Sequence, residues 1–175
     1  MIPKKKPNKK IKHSWTAKVI TLFPEMFPGT LAHSLIGKAL NNNIWCLEVI
    51  NLRDFTSDQR KTVDGPPAGG GAGLVLRADI LDNAIRNHIN KSEFNRREWP
   101  IIALSPRGKV FEQSKAIEFS RCKGLTLICG RYEGFDERVL KFHGIPEISI
   151  GDYIMSGGEI AAQVLIDSTV RLIPQ

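Results

Sequence analysis

Short apolar runs rich in β-branched residues alternate along this chain with segments of helical periodicity. The runs are nearly continuous, as is typical of strands buried on both faces of a sheet. They occupy residues 17–23, 44–52, 100–105, 125–130 and 146–151. Apolar residues recur at helical spacing within 31–40, 80–89, 111–119 and 161–172. This alternation predicts an α/β fold, with a parallel sheet and helices on both of its faces.

Most of the net positive charge lies close to the N-terminus. The net charge is +7, and six lysines with no acidic residue among them fall between Lys4 and Lys12. Removing these six from the 25 basic residues leaves 19 against 18 acidic ones, so the bulk charge of the remainder does not indicate a nucleic-acid partner. We expect residues 1–15 to be a basic, flexible tail that is solvated or helps to hold a polyanion. Residues 16–175 are expected to form one folded domain.

Cysteine and histidine are sparse and scattered. The three cysteines form no C-x-x-C pair and the four histidines stand singly, so we expect neither a disulfide framework nor a zinc site. The longest apolar runs are about half a dozen residues, whereas a bilayer span needs roughly 20. Lys18 also interrupts the one apolar stretch that could serve as a signal-peptide core behind the basic tail. We therefore expect a cytoplasmic protein without a membrane segment.

One connection is unusually long. Residues 53–76 join a predicted strand to a predicted helix, where connections of about 2 to 6 residues are usual. The segment contains five glycines, yet it matches neither G-x-x-x-x-G-K-[ST] nor G-x-G-x-x-G, so a P-loop and a dinucleotide fingerprint are excluded. A flexible linker and a lid over a binding site explain this composition equally well.

Three glycine-containing stretches follow predicted strands, where open α/β sheets bind ligands. They are LSPRG (104–108), CGRYEGFDERV (129–139) and SIGDYIMSGGE (149–159). Each has a plain structural interpretation; for example, Ser156 and Glu159 have the S-x-x-E spacing of a helix capping box. Together, however, glycines at three strand ends would let the backbone approach a common ligand. The three stretches therefore predict one binding site.

Six stretches occur in a characteristic order. They are LFPEMF (22–27), RDF (53–55), GGGAG (69–73), LSPRG (104–108), LICGRYEGFDERV (127–139) and SIGDYIMSGGE (149–159), the last followed by LIDSTVRLIP (165–174). In order and approximate spacing they resemble the bacterial tRNA (guanine-N1)-methyltransferases of the TrmD type, in the SPOUT superfamily. The resemblance covers residues 17–174 and implies a sheet whose C-terminal part is threaded into a deep trefoil knot.

The resemblance also implies the residues of the site. In such enzymes S-adenosylmethionine is held in the knot by three loops, whose matching residues here are Leu104, Ser105, Pro106, Gly130, Ile150, Gly151, Asp152, Tyr153, Ile154, Met155, Gly157 and Gly158. Arg131 and Glu133 match positions near the target guanine, with Glu133 also implied in catalysis. Arg171 matches an arginine that stabilises charge on the base during methyl transfer.

The substrate implied by the resemblance is tRNA, methylated on N1 of the guanosine 3′ of the anticodon, and the implied assembly is a homodimer whose sites use both subunits. Mg²⁺ is compatible with the family, but the sequence identifies no metal site. The family's catalytic aspartate and its C-terminal tRNA-binding domain would lie beyond Gln175. We therefore expect this chain to be part of a longer protein and to be inactive alone.

Two other functions remain open on the sequence. A different SPOUT methyltransferase, acting on a ribose 2′-hydroxyl or on ribosomal RNA, would keep the three loops without needing Glu133 to read guanine. A non-catalytic module that binds S-adenosylmethionine or RNA would keep the loops without a general base.

Overall fold

The fold is built on a five-stranded sheet. A computed structural model describes residues 14–88 and 95–173. Its main strands are β1 (Trp15–Thr21), β2 (Trp45–Asn51), β5 (Ile101–Val110), β6 (Gly124–Cys129) and β7 (Glu147–Ser149), in the spatial order β2-β1-β6-β5-β7. Two short strands, β3 (Asp64–Gly65) and β4 (Val75–Leu76), form a separate antiparallel ladder. All four pairings within the larger sheet are parallel, as the sequence predicts.

Within residues 14–88 and 95–173, five α-helices connect and cover the strands. They are α1 (Ser34–Asn41), α2 (Ala78–His88), α3 (Gln113–Ser120), α4 (Glu137–His143) and α5 (Glu159–Val170). Short 3-10 turns occupy Pro24–Met26, Gly29–Ala32 and Leu52–Phe55. Among the described residues, no helix is long and apolar enough to cross a membrane.

The core lies on both faces of the sheet. Along β5, Ile102 and Leu104 join one hydrophobic cluster, whereas Ile101 and Ala103 join the other. Side chains of α1, α3 and α5 pack in the first cluster, and those of α2 and α4 pack in the second. Because successive side chains of a strand point to opposite faces, helices cover both faces of the sheet. The α/β prediction is confirmed.

Three local details differ from the sequence prediction: the division of segment 31–40, the position of LSPRG, and the presence of α4. The segment 31–40 divides into a 3-10 turn and α1, and this break in helical phase leaves Leu35 of the predicted buried stripe 79% exposed. The stretch LSPRG is not a loop after its strand. It lies inside β5. Leu104 and Lys109 of this strand both pair with Ile148 of β7, so the pairing of β5 with β7 is interrupted between them.

Helix α4 has no counterpart among the predicted helices. At seven residues it is too short to show an apolar stripe, and only its ends carry a signal. The Asp136 side chain accepts a hydrogen bond from the Arg138 amide at the N-terminus, and Gly144 takes a left-handed conformation (φ 58°) at the C-terminus. These are the preferred capping residues at the two helix ends.

The Asp136 cap leads to a stability prediction. Asp136→Ala should lower the free energy of unfolding at pH 7 by about 0.5–2 kcal/mol, measured by urea denaturation. Hydrogen bonds from the Arg138 side chain and amide lower the pKa of Asp136. The contribution is therefore complete above the unfolded-state pKa of about 3.9 and is lost as pH falls through the lower folded-state pKa. Asp136→Asn, which keeps the acceptor, is the control; equal stability of Asp136→Ala and the unsubstituted protein at pH 7 would contradict the prediction.

The predicted basic tail, residues 1–15, lies outside the described residues except for Ser14 and Trp15. Trp15 opens β1 and is buried, and its indole donates to the Phe119 carbonyl oxygen. The folded domain therefore includes Trp15, one residue before the predicted boundary.

Candidate functional site

The three glycine-containing stretches meet at one cleft. Strands β6, β5 and β7 are neighbours in the sheet, so the segments that follow β6 and β7 lie beside the interruption in β5 at residues 105–108. Together they surround a partly open cavity of about 230 Å³. Side chains of Phe135, Ile148 and Ile150 give it apolar walls. The sequence prediction of a single site at these strand ends agrees with this placement.

Most residues that the resemblance assigns to the methyl donor line this cleft. Those lining it are Leu104, Ser105, Pro106, Gly130, Ile150, Tyr153, Ile154, Met155, Gly157 and Gly158. Gly151 and Asp152 belong to the same loop but are not part of the lining. Arg131 and Glu133, assigned to the target guanine, also line the cleft. Whether these residues bind ligands stays a prediction.

Two glycines permit a close backbone approach at the floor of the cleft. The Gly158 amide donates to the Gly130 carbonyl oxygen at 2.9 Å. A Cβ at Gly158 would lie 2.8 Å from Cys129 Cα, and a Cβ at Gly130 would lie 3.0 Å from the Leu104 carbonyl oxygen. Neither approach could accommodate a side chain without backbone movement. Glycine at these positions therefore lets the start of α5 lie directly against the end of β6.

Glu159 does not form the capping box that its spacing allows. The N-cap of α5 is Gly158, without a side-chain cap. The fully buried Glu159 carboxylate instead accepts a 2.7 Å hydrogen bond from Thr21 Oγ1 and pairs with Arg131, Nη2 to Oε2 being 2.8 Å. From the sequence, Glu159 is a charged residue in the first turn of a predicted helix. The burial of its carboxylate depends on its contacts with Thr21 and Arg131, which belong to other segments.

Arg131 is turned towards the protein interior. Besides the Glu159 pair, its Nη1 donates to the Ser156 carbonyl oxygen at 3.1 Å. The guanidinium carbon lies 4.2 Å from the centre of the Phe23 ring, a cation–π distance. The guanidinium therefore contacts internal groups on several sides, although the residue also borders the cleft.

Glu133 stands where the long connection reaches the cleft. The Glu133 amide donates to the Leu74 carbonyl oxygen at 2.9 Å, and the Leu76 amide donates to the Gly134 carbonyl oxygen. A Cβ at Gly73, where φ is 83°, would clash with the Glu133 side chain. The C-terminal half of the connection is thus anchored to the loop that carries Glu133, while the Gly69 and Gly70 positions have open space around them. This arrangement favours the lid interpretation over a free linker.

Arg171 lies away from the cleft of its own chain. It is the exposed C-cap of α5, whereas Gly158 at the opposite end borders the cleft. Gly158 and Arg171 are separated by 13 residues in sequence, which corresponds to about 20 Å along the helix. The structure therefore does not bring Arg171 to the cleft of its own chain.

Behind the cleft floor, burial raises the pKa of the Cys129 thiol well above its usual range, and the neighbouring Glu159 raises it further. The thiol therefore stays protonated and is a structural group. Cys46, Cys122 and Cys129 are all free. The described residues contain no cluster of three or more histidine, cysteine or acidic side chains suited to a metal ion.

Eight cleft residues were not assigned to a ligand from the sequence. They are Arg107, Tyr132, Gly134, Phe135, Ile148, Ser149, Ser156 and Ala161. Tyr132 has a left-handed conformation (φ 58°), which is uncommon outside glycine and turns the chain within the cleft rim. All of them except Ile148 and Ala161 lie within the three glycine-containing stretches, and these two apolar residues cannot be told from core residues by their type alone.

Comparison with known proteins agrees with the geometry. The tRNA (Guanine-1)-methyltransferase TrmD family matches residues 16–175. A tRNA (guanine-N(1)-)-methyltransferase of Ruegeria sp. (strain TM1040) is 57% identical over 160 residues, covering 91% of this chain and 64% of the relative. Proteins of the same name from Zymomonas mobilis and Rhodospirillum rubrum are each 50% identical, covering 91% and 92% of this chain and 63% and 65% of their own lengths. The chain thus spans slightly less than two thirds of these relatives, and it belongs to the TrmD family of tRNA (guanine-1)-methyltransferases.

Proposed function

We propose that the protein to which this chain belongs transfers a methyl group from S-adenosylmethionine to N1 of the guanosine 3′ of the anticodon in tRNA. The observation that carries this proposal is the convergence of three glycine-containing segments on one cleft, in a chain that belongs to the TrmD family. The proposed location is the cytoplasm, where tRNA substrates are available.

The cleft suits a nucleoside-containing methyl donor. It combines apolar walls with closely approaching backbone at Gly130 and Gly158, which side chains would fill. Backbone amides and carbonyls can hydrogen-bond an adenine edge, and apolar side chains can pack against its faces. We assign the donor to the loops at 104–106, 130 and 150–158. When bound, S-adenosylmethionine supplies an electrophilic methyl group.

Methylation of guanine N1 makes three demands on protein groups. The base must be oriented, the N1 proton must be accepted, and negative charge moving towards O6 must be stabilised. We assign Glu133 to orientation, because its carboxylate borders the cleft and can accept hydrogen bonds from the N–H groups of guanine. Arg171 is assigned to the charge near O6. We assign the proton acceptor to no residue of this chain.

A knotted C-terminal half is part of the proposal. Strand β7 lies at the sheet edge beside β5, whereas Gly158, nine residues after Ser149, is hydrogen-bonded to Gly130 at the end of β6. The connecting segment therefore passes the end of β5, where residues 105–108 depart from regular pairing. Threading of α5 through this region would give the trefoil knot of the SPOUT superfamily.

A homodimer is also proposed. Ile160 and Val164, one turn apart on α5, are 53% and 39% exposed, and the cleft-side Ile154 is 86% exposed. Exposed apolar residues grouped near one site are typical of protein interfaces. In a two-fold dimer the same surface meets its copy, so Arg171 of one subunit could reach the cleft of the other.

The proposal is tested with the full-length protein and a tRNA transcript. Calorimetry should show binding of S-adenosylmethionine, and nucleoside analysis should show 1-methylguanosine at the position 3′ of the anticodon. Methylation of a ribose or of ribosomal RNA would indicate a different methyltransferase. Binding without any methyl transfer to RNA would indicate a non-catalytic module.

A further inference from the structure

A buried ion pair below the cleft connects segments that are distant in sequence. Glu159 is fully buried at the first turn of α5, and the Arg131 side chain is 17% exposed. Their charged groups are 2.8 Å apart. Removing two charges from water is costly, and such a pair is weak support for stability by itself. Its position beneath a binding cleft therefore requires another explanation.

The pair holds together three segments around the cleft. Thr21, at the end of β1, donates to Glu159 through Oγ1 and accepts a 2.9 Å hydrogen bond from the Phe23 amide. Arg131, in the segment after β6, donates to the Ser156 carbonyl oxygen in the segment before α5. It also lies over the Phe23 ring. One buried carboxylate and one guanidinium thus fix the end of β1, the β6 segment and the start of α5 relative to one another.

The two glycines before Glu159 leave space for neighbouring groups, and Gly157 leaves it for the Arg131–Glu159 ion pair. A Cβ at Gly157 would clash with the Arg131 guanidinium and lie 2.6 Å from Glu159 Oε2. A Cβ at Gly158 would meet the backbone of Cys129 instead. Gly157 therefore leaves room for the ion pair, and Gly158 leaves room for the β6 backbone. Glycine is therefore required at these two adjacent positions for different structural reasons.

We propose that Glu159 is a positioning residue that acts through Arg131, holding Gly130 and residues 156–158 in the geometry that binds the methyl donor. The inference rests on the proposed methyl transfer, and it assigns the Arg131 guanidinium to cofactor positioning instead of contact with the target guanine. Within the described residues, the buried Arg131 Nε and Glu159 Oε2 have no hydrogen-bond partner, and the 2.8 Å ion pair between Arg131 Nη2 and Glu159 Oε2 compensates the charge of each side chain.

The test compares Glu159→Gln with the unsubstituted full-length protein. Glutamine has the same shape and keeps an acceptor for Thr21 but removes the charge opposite Arg131. We expect the KM and Kd for S-adenosylmethionine to rise about 10-fold, because small displacements of positioning groups are amplified in binding and rate. The KM for tRNA should change by less than about 2-fold, since Arg131 does not contact the base in this proposal.

Two controls separate positioning from loss of stability. Ile85→Ala removes a buried side chain of α2 that is not part of the cleft lining, so it lowers the melting temperature without changing a lining residue. Glu118→Gln removes the charge of an exposed carboxylate paired with Lys115 on α3. Neither should change the KM for S-adenosylmethionine. If Ile85→Ala raises this KM as much as Glu159→Gln does, the effect is structural and the proposal is wrong.

Arg131→Lys provides an independent variant and replaces the first if Glu159→Gln does not fold. Its ammonium keeps a charge near Glu159 but cannot hold both Glu159 and the Ser156 carbonyl oxygen as the guanidinium does. A selective rise in the KM for S-adenosylmethionine supports the proposal. A selective rise in the KM for tRNA, or an unchanged donor KM in both variants, overturns it while leaving the proposed function intact. Failure of the unsubstituted protein to bind the donor overturns both.

Discussion

Replacing Gly158 with valine should lower the affinity for S-adenosylmethionine by about 100-fold. Gly158 has φ −81°, so the backbone does not require glycine there, and the requirement is steric. A side chain at this position would meet Cys129 Cα at 2.8 Å and the Gly130 nitrogen at 2.9 Å, neither of which can rotate away. Binding of the donor would then require α5 and the end of β6 to return to their close approach. We expect this to cost about 3 kcal/mol, which is equivalent to roughly a 100-fold rise in Kd.

Isothermal calorimetry of the folded variant measures this effect, with circular dichroism as the check on folding. Gly65→Ala is the matched control, because its Cβ would have only an ordinary 3.5 Å contact with Arg77 and φ is not positive there. We expect the control to bind as the unsubstituted protein does. An unchanged Kd in a well-folded Gly158→Val variant would show that the α5–β6 junction is not the floor of the donor site.

Arg171→Ala should reduce kcat for methyl transfer by about 10²–10³-fold, the usual effect of removing one preorganised group that stabilises transition-state charge. The Kd for S-adenosylmethionine should not change, because Arg171 is outside the cleft lining. Single-turnover assays with the full-length protein measure the rate of the chemical step. Arg121→Ala is the control, since Arg121 occupies the equivalent C-cap of α3. Equal rates for the two variants would remove Arg171 from the proposed mechanism.

Mixed dimers show which subunit supplies Arg171. If it acts across the interface, a dimer of one Arg171→Ala and one Gly158→Val subunit has one intact site, formed by the unsubstituted cleft of the first and Arg171 of the second. Its rate should be about half that of the unsubstituted dimer. If Arg171 acts on its own cleft, neither site is intact and activity is lost. The tagged heterodimer therefore gives opposite results for the two arrangements.

The sequence by itself determined the layered architecture. Continuous apolar runs such as residues 125–130 predicted strands buried on both faces, and β6 is buried along its whole length. Helical stripes predicted α2, α3 and α5, because their periodicity reflects one buried side. Glycine-containing motifs near the strand ends predicted that these segments meet at one cleft, since parallel strands bring their carboxyl ends to the same edge. These features depend on local patterns that the sequence contains directly.

Only the tertiary structure decided how the motifs cooperate. The S-x-x-E spacing at Ser156 and Glu159 is compatible with a capping box, and nothing local indicates that Thr21, 138 positions earlier, donates to this carboxylate. Arg131 likewise follows a predicted strand as an ordinary exposed cation would. Its pairing depends on strand order, which places the end of β1 beside β6. Contacts between distant segments are set by packing, so local periodicity does not specify them.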